Sequence, residues 1–224
     1  MAHYEVEIKS LLGEEKNATA LREKMCELDP SCACVAKNTQ LNHYFKDGDM
    51  QQLFEVTKHL FNDSEQEQFQ KVVEKGSSFS VRSRQKDDEV LLVVKASVDE
   101  GTSENTVSRL EFEEKVDISL DELDELIQSA GFQYQAKWSR AREEYTYKDA
   151  NVCLDKNAGY GYLAEFEKII DDESMVGKAR EEIDVLMQEL GMEELAQDRL
   201  ERMFAYYNEN WPEYYGTDKT FVVE

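Results

Sequence analysis

Five stretches of this chain place charged residues two positions apart, with small or apolar residues between them. Near the N-terminus, Glu5, Glu7 and Lys9 alternate with Val6 and Ile8. Further on, Arg82 and Arg84 flank Ser83, Glu111 and Glu113 flank Phe112, Arg140 and Arg142 flank Ala141, and Glu165 and Glu167 flank Phe166. Lys95 ends a sixth, largely apolar run, "LLVVKAS". In a β-strand successive side chains point to opposite faces, so each stretch has one charged face and one that is apolar or small. A single strand of this kind usually turns its charges to water. The set constrains the fold more tightly, because a sheet must bury one face against another layer. If Val6, Ile8, Phe112 and Phe166 pack against helices, the charged faces gather on the other side.

The remaining patterns supply the partners for such a sheet. Strands are expected at residues 4–11, 34–45, 77–85, 89–97, 106–116, 136–147, 150–157 and 161–170. Leu21, Met25 and Leu28 recur at helical spacing within residues 14–28, and Asp29-Pro30 stops that helix. Ser119 followed by Glu122 is a capping-box spacing ahead of Leu123, Leu126 and Ile127, with Gly131 closing the helix. Residues 173–191 carry Val176, Ile183, Met187 and Leu190 along one helical stripe. A shorter helix to about Tyr207 and an aromatic tail follow. The polar stretch at about 46–76, punctuated by Gly48 and Gly76, reads as a helical excursion inserted into a hairpin. About eight strands with few helices indicate an α+β domain, built on a barrel or strongly curved antiparallel sheet with helices outside.

Charge narrows the partners. A formal net charge of −23 argues against a nucleic-acid or anionic-membrane binder, whose footprint is basic, but leaves room for a local basic site. With no long apolar run and no leader pattern at the N-terminus, the expectation is a soluble, cytoplasmic protein. Cys26, Cys32, Cys34 and Cys153 include no Cys-x-x-Cys pair and read as free thiols, and His3, His43 and His59 form no metal-ligand pattern.

The interior of a barrel of about eight strands is just filled by side chains or holds a small ligand. Carboxylates and guanidinium groups there are costly unless they pair or bind something. Clustered carboxylates suit a hard divalent cation. Arginines suit phosphate oxygens through their bidentate fork. Together they describe a site for a metal-bound polyphosphate, the setting that phosphoryl transfer needs.

In their order along the chain, the motifs E-x-E-x-K in "YEVEIK", R-x-R, a single Lys, E-x-E, R-x-R and "LDKNAGYGYLAEFE" resemble the CYTH superfamily of triphosphate tunnel metalloenzymes. That group includes class IV adenylate cyclases and thiamine triphosphatases. The resemblance covers about residues 4–170 and implies a closed antiparallel eight-stranded β-barrel, the triphosphate tunnel, decorated with helices on the outside. It implies one CYTH-like domain over 1–224: a tunnel barrel over 1–170 with an insertion at about 46–76, then a helical segment and aromatic tail over 171–224. Carried over position by position, Lys9, Arg82, Arg84, Lys95, Arg140 and Arg142 would bind the triphosphate. Glu5, Glu7, Glu111, Glu113, Glu165 and Glu167 would serve Mg²⁺ or Mn²⁺, and Asp155, with Glu5, Glu7 and Lys9, would stand among the catalytic groups.

The implied activity is divalent-metal-dependent hydrolysis of inorganic, nucleoside or thiamine triphosphate. The alternatives are a class IV adenylate cyclase, forming cyclic AMP and pyrophosphate from ATP, and a non-catalytic polyphosphate-binding module. The expected partner is a small-molecule triphosphate, with neither nucleic acid nor membrane, and a homodimer is left open. Two departures stand out. Gln40-Leu41-Asn42-His43-Tyr44 lacks the acidic residue common in relatives, and the 46–76 insertion exceeds the usual connection.

Overall fold

The computed structural model describes residues 4–97 and 109–223. Residues 106–108 of the expected fifth strand lie outside them, as does the side chain of Glu5. The strands are β1 (Tyr4–Gly13), β2 (Ala33–Lys46), β3 (Phe79–Lys86), β4 (Glu89–Ser97), β5 (Arg109–Val116), β6 (Gln133–Tyr147), β7 (Ala150–Asn157) and β8 (Gly161–Ile170). The α-helices are α1 (Glu15–Leu28), α2 (Met50–Thr57), α3 (Asp63–Lys75), α4 (Leu120–Ser129), α5 (Val176–Leu190) and α6 (Gln197–Tyr214). The strands form one antiparallel sheet in the order β1-β8-β7-β6-β2-β3-β4-β5, giving an α+β fold. The chain packs as two compact units, 1–38 with 139–224 and 39–138, with β2 and β6 contributing to both. Among the described residues no helix is long and apolar enough to cross a membrane.

In the first unit the strand alternation places Val6, Ile8, Val152, Leu154, Ala164 and Phe166 on one face, buried against Ala18, Leu21 and Met25 of α1 and Ile183, Met187 and Leu190 of α5. Helix α1 ends where Pro30 has no N–H to give, and Asp29 accepts from the Ser31 N–H at 2.9 Å. Helix α5 ends on Gly191, whose φ of 71° is the left-handed conformation that glycine adopts without steric cost. Helix α6 continues past Tyr207 to Tyr214, with Pro212 inside it. Met203, Tyr207 and Tyr214 lie on its buried side, and this packing holds the last turn despite the missing donor at Pro212. The chain then returns to the β7–β8 turn, where Gly159 donates to the Lys219 carbonyl and accepts from the Phe221 N–H at 2.6 Å. Phe221 packs among Tyr206, Tyr207 and Tyr214, so the aromatic tail is part of this unit's packing.

In the second unit the insertion forms α2, a single 3₁₀ turn and α3. Leu53, Phe54, Phe61, Phe69 and Val72 from this segment cover Val81, Leu92, Val94 and Phe112 on one face of β3, β4 and β5. Phe69 and Phe112 stack with their centroids 4.5 Å apart, and Phe61 meets Phe112 edge-on at 5.0 Å. The capping box read from Ser119 and Glu122 is present at the start of α4. A second one, Asn62 with Glu65, opens α3.

The expected closure of the sheet into a barrel is not found: among the described residues the strand order has two ends, β1 and β5. Each end has a local reason. On β1 the carbonyl of Lys9 accepts from the Leu195 N–H at 2.7 Å, so the loop before α6 occupies part of the free edge. On the eight-residue β5, Glu111, Glu113, Glu114 and Lys115 crowd the strand with charge, which discourages the addition of another strand.

Because Phe69 is fully buried between the insertion and the sheet, Phe69→Ala is expected to destabilise the protein by about 3–5 kcal/mol. Urea unfolding checks this, and a loss below about 1 kcal/mol would mean that the insertion does not cover the core.

Candidate functional site

Burial of one face of each unit leaves the opposite face to the charged alternations. In the first unit, β-register brings Lys9 opposite Glu165 and Glu7 opposite Glu167. Arg142 lies opposite Asp155, and Arg140 opposite Asn157. Asp155 is fully buried. Its carboxylate accepts from Arg142 Nε at 2.7 Å and Nη2 at 2.6 Å, and from Arg140 Nη1 at 2.8 Å. Arg142 also bonds Glu165, whose Oε1 lies 3.6 Å from Lys9 Nζ, and Lys9 pairs with Glu7. Opposite charges therefore alternate along one row: Arg140, Asp155, Arg142, Glu165, Lys9, Glu7.

The electrostatics follow from that row. Burial disfavours the charged form of Arg142, but the hydrogen bonds and charge of Asp155, then the charge of Glu165, outweigh it and raise its pKa. Burial would push Glu165 up, yet the charges of Lys9, Arg142 and Arg140 hold it below its ordinary value. Cys153, opposite Glu165 across β7 and β8, is pushed up to about 12 by burial and the nearby carboxylates, against the opposing charge of Arg142, which leaves a protonated, unreactive thiol.

In the second unit, Arg84 lies opposite Asn42 and Arg82 opposite Tyr44. Arg84 donates through Nε to Asn42 Oδ1 and through Nη1 to Glu113, both at 2.8 Å. Arg82 lies over the Tyr44 ring, 4.7 Å from its centroid, and its buried Nε has no hydrogen-bond partner among the described residues. Lys95 pairs with Glu111 at 3.0 Å. The structure thus brings Glu7, Lys9, Arg140, Arg142, Asp155, Glu165 and Glu167 onto one face of the first unit. It brings Arg82, Arg84, Lys95, Glu111 and Glu113 onto one face of the second.

Asn42 and Tyr44 belong to this second face but were not singled out as site residues. The signal that could have found them is the alternation Gln40, Asn42, Tyr44 within β2. The missing acid noted there has a counterpart in the amide oxygen of Asn42, which accepts from Arg84.

Among the described residues no three His, Cys, Asp or Glu side chains are grouped to hold a metal ion. The donor chemistry nevertheless fits a hard cation. Glu7 and Glu167 stand directly opposite each other on neighbouring strands. Like charges so placed repel, and a cation near them relieves that repulsion. Mg²⁺ is commonly held by one or two carboxylates together with substrate phosphates, and Glu7 and Glu167 are donors of that type, Glu7 being paired with Lys9.

The CYTH domain family model matches residues 63–199, a span that includes every candidate residue from Arg82 to Glu167 and leaves out β1. A candidate adenylate cyclase from Vibrio parahaemolyticus superposes with a TM-score of 0.59 at 17% identity, over 92% of this chain and 99% of that one. A Pyrococcus horikoshii protein gives 0.59 at 17% identity, over 84% of this chain and 91% of that one. A Hippeastrum protein, described as an adenylyl cyclase candidate that reveals a dominant triphosphatase activity, gives 0.50 at 15% identity, over 92% and 96%. No curated protein matches the chain at a significant level.

The lowered pKa of Glu165 sets a pH dependence. A carboxylate with a depressed folded-state value contributes stability above its ordinary value of 4.5, and that contribution is lost as pH falls through the lower folded value. Unfolding free energy is therefore expected to drop below pH 4.5, and Glu165→Gln to flatten that part of the curve. An unchanged slope in the variant, measured by urea unfolding across acid pH, would show that Glu165 is not so held.

Proposed function

The chain belongs to the CYTH domain family, and from that premise we propose that it hydrolyses a triphosphate with the help of a divalent metal. The observation that carries this reading is Asp155, a buried carboxylate that aims two guanidinium groups, Arg140 and Arg142, along a face rich in further carboxylates. Anion binding alone gains nothing from placing Glu7, Glu165 and Glu167 beside those arginines. Metal-assisted phosphoryl transfer uses both signs of charge.

In this reading Arg140, Arg142 and Lys9 hold phosphate oxygens, and so do Arg82, Arg84 and Lys95. Where Arg142 now bonds Glu165 and Lys9 pairs with Glu7, incoming phosphate oxygens take over part of that pairing. Glu7 and Glu167 would hold Mg²⁺ or Mn²⁺, with Glu5, Glu111, Glu113 and Glu165 as further carboxylates of the set. When bound, the metal supplies charge neutralisation on the phosphate oxygens. A carboxylate of the first unit orients a water whose oxygen attacks the terminal phosphorus. The bond to the bridging oxygen breaks, and the departing diphosphate end takes up the electron pair.

A second reading, cyclisation of ATP, finds support in the description of the Vibrio parahaemolyticus structure. It needs the same cations, with the substrate's own 3′-hydroxyl as nucleophile and the α-phosphorus as target. The setting consistent with either reading is cytoplasmic, with a small-molecule substrate and with Cys26, Cys32, Cys34 and Cys153 kept as free thiols.

Product identification tests the proposal. Incubated in parallel with inorganic triphosphate, thiamine triphosphate and ATP, each with Mg²⁺ or Mn²⁺, the protein is expected to release inorganic phosphate in a metal-dependent way. Cyclic AMP and pyrophosphate from ATP would favour the cyclase. Binding without turnover in every mixture would leave a polyphosphate-binding module.

A further inference from the structure

Helix α4 buries Leu120, Leu123 and Ile127, and the same stripe contains a carboxylate, Asp124, which is only 2% exposed. Every donor around it comes from the same unit. Its Oδ2 lies 2.6 Å from His43 Nδ1 and accepts from the Tyr134 hydroxyl at 2.5 Å, while its Oδ1 accepts from the Ser83 hydroxyl. Lys137 Nζ stands 3.7 Å from Oδ2. Because an ionised carboxylate can only accept, the proton shared with His43 resides on Nδ1. Burial opposes ionisation of Asp124, but the hydrogen bonds from His43, Ser83 and Tyr134 outweigh it and hold the carboxyl below its ordinary range.

An apolar residue would complete the stripe of α4 at lower desolvation cost, so core packing alone does not account for an aspartate here. The register does. His43 and Ser83 are direct partners on β2 and β3. Their chain neighbours on the opposite face are Asn42 and Tyr44 on one strand and Arg82 and Arg84 on the other. Asn42 holds Arg84, and Tyr44 lies beneath Arg82. A slip of one residue between β2 and β3 would turn both arginines toward the core, and a small local displacement would misalign them. Buried polar groups are best attested as devices that fix register.

We propose that Asp124 is a positioning residue which, by clamping His43 to Ser83 from behind the sheet, fixes Arg82 and Arg84 for phosphate binding. The phosphate-binding half of this statement rests on the function proposed above. The clamp rests on the hydrogen bonds alone.

Two variants, Asp124→Leu and Asp124→Asn, test it, each first checked for a cooperative thermal transition. Asp124→Leu is expected to lower the melting temperature, because the buried donors of His43, Ser83 and Tyr134 lose their shared acceptor, and Asp124→Asn, which keeps the shape and one acceptor oxygen, to lower it less. Both variants are expected to bind metal-free inorganic triphosphate roughly tenfold more weakly by calorimetry, and to raise KM by a similar factor while leaving kcat nearly unchanged. They should also exchange the amides of residues 41–45 and 81–85 faster than wild type, with β1, β7 and β8, which do not touch Asp124, unaffected. Should Asp124→Leu fail to fold, Asp124→Asn decides alone. Triphosphate affinity and KM within twofold of wild type in a folded variant would overturn the proposal. If wild-type protein neither binds nor hydrolyses any triphosphate, the functional reading falls. The exchange comparison then still decides the clamp, and unchanged exchange at those amides would overturn it.

Discussion

The arrangement of charge in this protein depends on one buried acid, Asp155. Its two oxygens take three hydrogen bonds from two guanidinium groups, the charge-assisted fork geometry in which arginine is strongest. A fully buried carboxylate is tolerable only when paired in this way. Deleting either side would leave an uncompensated buried charge, a loss of about 3–5 kcal/mol. The pairing also sets direction. Arg142 is drawn between Asp155 and Glu165, and the rest of the row, Lys9 and Glu7, follows from β-register.

Both units solve the same physical problem in the same way. A helix-covered apolar face forces the alternate residues of each strand to the other side, and those residues are charged. In the first unit α1 and α5 supply the cover; in the second, α2, α3 and α4 do. The insertion therefore has a structural role, since Phe61 and Phe69 fill the core against Phe112. Asp124 is the exception on the covered side, and its hydrogen bonds reach β3, which presents Arg82 and Arg84, and β2, which presents Asn42 and Tyr44.

Much of this could be read from residue spacing. The alternation of charge with Val6, Ile8, Phe112 and Phe166 foretold which side of each strand is buried, because a period of two leaves no other assignment once one face is apolar. The helix limits at Asp29-Pro30, Ser119 and Gly131 follow from backbone chemistry that acts locally. What could not be read depends on contacts distant in sequence. The sheet has an end at β1 where a barrel was expected, and part of that edge is taken by the distant Leu195 N–H on the Lys9 carbonyl. Helix α6 runs through Pro212 because Tyr207 and Tyr214 are held by packing, which a local breaker signal does not register. The acceptor role of Asn42 and the burial of Asp124 were hidden for the same reason: each is defined by a partner about forty residues or more away.

The charged face anchored by Asp155 is proposed to bind a metal-complexed triphosphate. A crystal structure of the protein with Mn²⁺ and inorganic triphosphate, recorded with anomalous diffraction, tests it most directly. The expected result is an anomalous peak within coordination distance of Glu7 and Glu167, with phosphate oxygens on Arg140 and Arg142. Metal and anion bound elsewhere on the surface, with the Arg140–Asp155–Arg142 face left empty, would contradict it.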